Sequence, residues 1–109
     1  MIIDFLNMEE KPTPEFKGGI GITNLRKFEN ELGKIIMGRL EPGATIGLHT
    51  HEDDSEVIYI ISGNADFLYD DGTESVGPGG CHYCPKGHSH SMINNGKEDI
   101  VFFAVVPKQ

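Results

Sequence analysis

Cysteine is scarce in this chain: of 109 residues, only Cys81 and Cys84 carry a thiol. Two cysteines close together in one apparent strand cannot staple a small secreted domain, so free thiols in a reducing compartment are expected. Basic residues are also few, 9 against 17 acidic for a formal charge of −8, and no basic cluster exceeds the pair Arg26 and Lys27. A nucleic-acid or anionic-membrane partner bound through a basic face is therefore disfavoured. The longest nearly uninterrupted apolar run, Ile100 to Val106, is far too short to span a bilayer, and Met1 to Phe5 lacks the basic start and long apolar stretch of a signal peptide. A cytoplasmic location is the expectation. Helical periodicity is thin as well. The one helix candidate runs from Asn24 to Leu32, where Leu25, Phe28 and Leu32 fall at helical spacing without a strong cap.

What the chain does have is punctuation. Fourteen Gly and six Pro break it into short stretches rich in Ile, Val, Phe, Tyr and Met. The breaks fall at Glu41-Pro42-Gly43, Ser62-Gly63-Asn64, Asp70-Asp71-Gly72, Gly77 to Gly80, Pro85-Lys86-Gly87 and Asn94-Asn95-Gly96. That spacing predicts an all-β fold. Strands are expected over about 33–40, 45–51, 55–62, 64–70, 80–84, 88–94 and 99–106, with Asp70-Asp71-Gly72 as a tight hairpin turn. Residues 1–30 read as an arm with a Gly-rich edge strand near Gly18 to Ile22, after a break at Lys11-Pro12-Thr13-Pro14, and 31–109 as one domain. The strand near 55–62 is apolar on both faces, which suits a two-sheet sandwich or a closed barrel with a second subunit on an outer face.

Four of the five histidines form two His-x-His pairs, His49 with His51 and His88 with His90. In an extended strand, residues i and i+2 project to one face about 6–7 Å apart, so two imidazoles can converge on one ion. Glu56 begins the next strand candidate and can bring a carboxylate beside them. Imidazole nitrogens with a carboxylate oxygen suit a borderline divalent ion, Fe, Mn, Co, Ni or Zn. Taken alone, a His-x-His pair is a weak signal, more often part of a solvated loop, here beside Glu52, Asp53 and Asp54.

The spacing is more specific than the pair. Gly43, five residues, His49-x-His51, four residues, Glu56, six residues and Gly63 reproduce the first signature of the cupin superfamily. Gly79, five residues, Pro85-x-Gly87, two residues, His90, three residues and Asn94 reproduce the second, and fifteen residues separate the two. The chain thus resembles a small single-domain cupin, with motifs at 43–63 and 79–94. The resemblance implies an antiparallel β-barrel of jelly-roll, double-stranded β-helix type, holding one divalent first-row metal ion through His49, His51, Glu56 and His90. Three His and one carboxylate leave one or two coordination positions open for water, dioxygen or substrate. Physical chemistry accounts for the other positions: Gly43, Gly63, Gly79 and Gly87 suit turns that need positive φ or close approach, and Pro85 presets a bend. Asn94 reads as structural or as an outer partner of the site. Where many cupins carry Asp after the first Gly of the second motif, this chain has Gly80.

Several neighbours of the motifs are candidates for the cavity wall. His88 shares strand parity with His90, Met92 and Asn94, and reads as a proton carrier, an outer partner or a turn residue. His82 and Cys84 share parity on the preceding strand and can line the cavity or pack. Cys81 and Cys84 project to opposite faces and make no metal pair. Arg39 is the best-placed cation for an anionic ligand if it points inward; otherwise it pairs with a surface carboxylate. Two functional readings follow. One is a metalloenzyme, an oxygenase or decarboxylase acting on a small oxygen-rich molecule. The other is a non-catalytic binding or regulatory module for a sugar or acid. A homodimer is expected in either case.

Overall fold

A computed structural model describes residues 1–109. Ten strands form: β1 (Lys11–Pro14), β2 (Ile22–Asn30), β3 (Gly33–Leu40), β4 (Thr45–Thr50), β5 (Glu56–Ser62), β6 (Ala65–Tyr69), β7 (Gly72–Val76), β8 (Cys81–Cys84), β9 (Ser89–Ile93) and β10 (Ile100–Pro107). They make a six-stranded antiparallel sheet, β1-β2-β3-β10-β5-β8, and a four-stranded one, β4-β9-β6-β7. The two sheets face each other as a jelly-roll sandwich. No backbone ladder joins their edges, so the expected closed barrel is corrected to two open sheets whose edges are tied by side chains and short segments.

Burial follows the period-2 logic of strands. Along β10, Ile100, Phe102, Ala104 and Val106 are buried while their neighbours are half-buried. Together with Ile36, Leu40, Ile46, Ile58, Ile60, Phe67 and Met92 they form one core between the sheets. Gly38 on β3 is a packing requirement, since a Cβ there would lie 2.2 Å from Phe102 Cζ. The N-terminal arm covers part of the outer face of the larger sheet. Phe5 meets Phe103 edge-on at 6.4 Å, and Arg39 holds Glu10 at 2.7 Å and Asp99 at 2.9 Å.

The seven expected strands all form, within a residue or two of their expected ends. The helix expected over Asn24 to Leu32 is instead the length of β2 and its turn. β2 pairs with β3 from Thr23↔Leu40 to Asn30↔Gly33, and that ladder satisfies the backbone groups that nine isolated residues could not hold in a helix. Leu32, expected on an apolar helix face, is exposed in the turn. The strand expected near Gly18 to Ile22 starts only at Ile22, because Phe16–Gly18 form a 3-10 turn and Gly18 and Gly21 take φ of 79° and 70°. The Pro-rich break is β1, an edge strand, where a proline's missing N–H is tolerated. β7, not foreseen, pairs with β6 across the Asp70-Asp71 turn, with Asp70 at φ 50°. Gly43, Gly63, Gly79 and Gly87 all take positive φ, from 80° to 88°.

Candidate metal centre

His49, His51, Glu56 and His90 come together at one end of the sandwich, with one donor atom from each lying within 4.8 Å of the others. β4 and β9 pair His49 directly opposite His90. The β4–β9 register shifts between Ile46 and His49, where β4 carries an extra residue. This bulge changes the strand's parity. Ile46 and His49, three apart, both face inward, while Leu48 between them is 61% exposed. Without the bulge Ile46 would put Leu48 inside and His49 outside. Glu56 and His90 need no such device, being in phase with inward Ile58 and Met92.

The donor atoms are spaced for a shared ion. His90 Nε2 lies 2.9 Å from His51 Nε2 and 3.2 Å from His49 Nε2. Glu56 Oε1 lies 3.0 Å from His90 Nε2 and 3.3 Å from His51 Nε2. Ligands bonded at about 2.1 Å to one ion and at right angles stand about 3 Å apart. The far nitrogens of two of the rings settle their tautomers. His49 Nδ1 donates to the Gly47 carbonyl at 2.7 Å, and His51 Nδ1 donates to Asp54 Oδ1 at 2.5 Å. In its neutral form each of these rings keeps its Nε2 lone pair for a shared cation, while an added proton on His51 Nε2 is donated to Glu56 at 3.3 Å. The residues therefore fit a metal ion.

Protons on the imidazoles take the place of a cation beside Glu56. Burial pushes the Glu56 carboxyl up, but the imidazole hydrogen bonds from His51 and His90 and their charges more than offset it, leaving it at about 2. The Glu56 hydrogen bond raises His51, against burial. Burial lowers His49, with the Gly47 carbonyl opposing.

A cavity of about 270 Å³ adjoins the cluster. Ile36, Ile46, Ile58 and Met92 form its apolar wall, and Lys17 and Lys34 bring cations to it. Its outer side is built by the arm: Gly19 and Gly47 approach so closely that a Cβ on Gly47 would sit 2.1 Å from the Lys17 carbonyl oxygen. This contact seats Phe16 and Lys17 beside the site.

Of the other candidates, Met92 is in the cavity and His82 is behind it. His82 is fully enclosed, with its Nε2 3.0 Å from His90 Nδ1 and its Nδ1 2.8 Å from Glu74 Oε1. Burial pulls its imidazole below the usual value, against the Glu74 hydrogen bond. Arg39 is not in the cavity: it has the parity of Met37, opposite to inward Gly38 and Leu40, and is held outside by Glu10 and Asp99. His88 precedes β9 and is paired outside the cluster with Asp70 at 2.5 Å. Asn94 is buried but away from the donors; its Nδ2 donates to the carbonyls of Leu40 and Glu98, both at 2.9 Å, closing the turn after β9. Cys84 is buried, with burial pushing its thiol up to about 11, whereas Cys81 is exposed, on the opposite face. Sequence reasoning missed Lys34, Lys17, Asp54 and Glu74. Only Lys34 left a signal, its parity with Ile36 on β3.

Two packed antiparallel sheets with a His₃Glu cluster at one end define a β-sandwich protein with a site that can hold a metal. Residues 36–106 match the sequence profile of the cupin domain family, Cupin_2, and the chain belongs to that family. It is 38% identical over 69 residues to an oxalate-binding protein of Thermotoga maritima, covering 62% of this chain and 56% of that protein. It is 36% identical over 69 residues to a germin-like protein of Morus alba, covering 59% of this chain and 33% of that one. The matches thus span little more than half of the first relative and a third of the second. Among solved structures, a predicted oxalate decarboxylase from Thermotoga maritima superposes with a TM-score of 0.93 at 24% identity, over 100% of both chains. That likeness establishes the fold.

Proposed function

We propose that His49, His51, Glu56 and His90 hold one divalent first-row transition ion, Fe, Mn, Co, Ni or Zn, and that the site serves a metal-dependent enzyme acting on a small oxygen-rich acid of the oxalate type. The observation that carries this reading is the convergence of imidazole Nε2 atoms and a carboxylate at 2.9–3.3 Å. The choice of acid draws on the relative that is named for oxalate and on a cavity of about 270 Å³, at the small end for ligand sites, whose wall carries Lys17 and Lys34 beside Glu52, Asp53 and Asp54. When bound, a divalent ion supplies a Lewis acid with coordination positions left open for the ligand. Lys34 and Lys17, together with the bound ion, would hold the anion against the nearby Glu52, Asp53 and Asp54, and Ile36, Ile46, Ile58 and Met92 form the apolar side. Decarboxylase-like or dioxygenase-like chemistry is the class this arrangement suits.

Non-catalytic binding of the same acid is the competing reading. It is favoured by the engagement of Asp54 with His51 and of His82 with His90, which leaves no imidazole in the cavity free to move a proton. Metal analysis of the untagged protein by plasma mass spectrometry, with a His49→Ala, His90→Ala control, tests the first half; near one ion per chain, lost in the control, is expected. Calorimetric titration of the loaded protein with oxalate, followed by assay for carbon dioxide release and oxygen uptake, tests the second. Binding without product would select the non-catalytic reading, and no metal after reconstitution would refute both. Homodimerisation belongs to the same proposal. Val57, Tyr59 and Ile61 on β5 and Tyr83 on β8 are 37–53% exposed on one outer face. Light scattering is expected to return twice the chain mass of 12.0 kDa, and the monomer mass would refute it.

A further inference from the structure

Glu74, His82 and His90 form one hydrogen-bonded line from solvent to the cluster. Glu74 lies on β7, the edge of the four-stranded sheet, with its side chain 46% exposed. His82 lies on β8, the edge of the six-stranded sheet, its ring flat against Phe67 at 3.9 Å and 14°. Its Nε2 meets His90 Nδ1 at 3.0 Å, and the opposite nitrogen of His90, Nε2, faces Glu56 Oε1 at 3.0 Å.

The polarity of this line is decided at its outer end. A carboxylate only accepts, so the proton of a neutral His82 sits on Nδ1, facing Glu74. His82 Nε2 then offers a lone pair, and the only group that can donate to it is His90 Nδ1–H. With its proton on Nδ1, a neutral His90 keeps its Nε2 lone pair for a metal ion, and an added Nε2 proton is donated to Glu56 Oε1. We infer that Glu74 and His82 are positioning residues that fix the tautomer and ring plane of His90 for metal ligation. Neither is one of the four donors: Glu74 reaches only His82, and His82 reaches His90 at Nδ1, away from the donor atom. The same task falls to the Gly47 carbonyl for His49 and to Asp54 for His51. Only the His90 branch passes through a second imidazole, and it also ties together two sheet edges that share no backbone ladder. The inference rests on the proposed metal site, but the Nδ1 proton of His90 facing His82 is expected without metal, whether or not Nε2 also donates to Glu56.

The test uses two readouts on the full chain: ring ¹⁵N spectra of the metal-free protein at pH 8, and Co(II) affinity by chelator competition. Nδ1–H forms of both His82 and His90 are expected in the parent protein. His82→Phe, which keeps a ring against Phe67, is expected to lose the His90 preference and to weaken Co(II) binding by about 10–100-fold. Glu74→Ala, at an exposed site that leaves the core intact, is expected to act in the same direction. Glu74→Gln, whose amide oxygen still accepts from His82, is expected to recover most of the loss. A His90 without a proton on Nδ1 in the parent protein, or Co(II) bound by His82→Phe and Glu74→Ala as tightly as by the parent, would overturn the inference. If the parent takes up no Co(II), the metal reading falls. The ring spectra then still decide: a His90 tautomer that changes with His82→Phe supports the relay, and one that does not overturns it.

Discussion

Replacing Gly47 with alanine places a methyl group 2.1 Å from the Lys17 carbonyl oxygen, 2.7 Å from the Gly19 nitrogen and 2.8 Å from the Gly18 carbonyl carbon. All three neighbours are backbone, so no side-chain rotation relieves the clash, and the segment at 17–19 must lift by about 1 Å to restore ordinary contact. That movement strains the two bonds seating the segment on β4, Thr45 N–H to the Ile20 carbonyl at 2.8 Å and Ile20 N–H to Thr45 Oγ1 at 2.9 Å. Losing both costs about 1–3 kcal/mol, the same range as overpacking a core. Alanine's lower entropy in the unfolded chain returns about 0.4–1 kcal/mol. A net loss of about 1–2 kcal/mol corresponds to a Tm lower by about 4–16 °C for a domain near this size. Because Phe16 and Lys17 wall the cavity, the substitution also opens the site, and trypsin should cleave after Lys17 faster than in the parent. Gly43→Ala is the control: it takes φ 80° but has no atom within 4 Å of the added methyl, so it strains the turn and leaves the arm seated. An unchanged Tm for Gly47→Ala, with Lys17 still protected, would refute the view that this glycine contact holds the cavity wall.

Glu56→Gln keeps the carboxylate's shape but removes its charge, and is expected to weaken divalent-metal binding by at least tenfold in chelator competition; equal affinity would remove Glu56 from the ligand set. The metal-free protein should lose stability in acid through the same residue. The folded Glu56 carboxyl, held at about 2, lies below its ordinary value of 4.5. Its contribution is therefore fully present above 4.5 and disappears as the pH falls from 4.5 toward 2. Thermal unfolding between pH 2 and 6 should show a flatter profile for Glu56→Gln, and parallel profiles would contradict it. Arg39→Ala and Lys34→Ala separate the two cations. The first should lower stability by about 1 kcal/mol by releasing Glu10 and Asp99, with metal and oxalate binding unchanged. The second should weaken oxalate binding in calorimetry with little effect on Tm. The reverse pattern would put the anion-facing cation back on Arg39.

Much of the fold was legible because turns and strand periodicity are local. The breaks at Glu41-Pro42-Gly43 and Asp70-Asp71-Gly72 mark real chain reversals, since positive φ at Gly43 and Asp70 is a property of the residues at the turn. β2 was misread as a helix because Leu25, Phe28 and Leu32 fit two periods, and nothing within nine residues says that β3 will lie alongside. β7 escaped because four of its five residues are exposed, so it carries no apolar alternation to detect.

The sequence by itself determined which residues could ligate a metal. His49, His51, Glu56 and His90 were identifiable from type and spacing, because His49 and His51 share parity on one extended segment and the intervals to Glu56 and His90 reproduce the two signatures. Tertiary structure decided how those residues are used. The β4 bulge that turns His49 inward is defined only by pairing with β9. The relay from Glu74 through His82 links strands at the edges of two different sheets, a proximity set by how the sheets pack. Lys34 rather than Arg39 lines the cavity because the register of β3 against β2 and β10 decides which face of the strand each residue shows. A one-residue change of register would exchange them, and no local feature of the chain records which register wins.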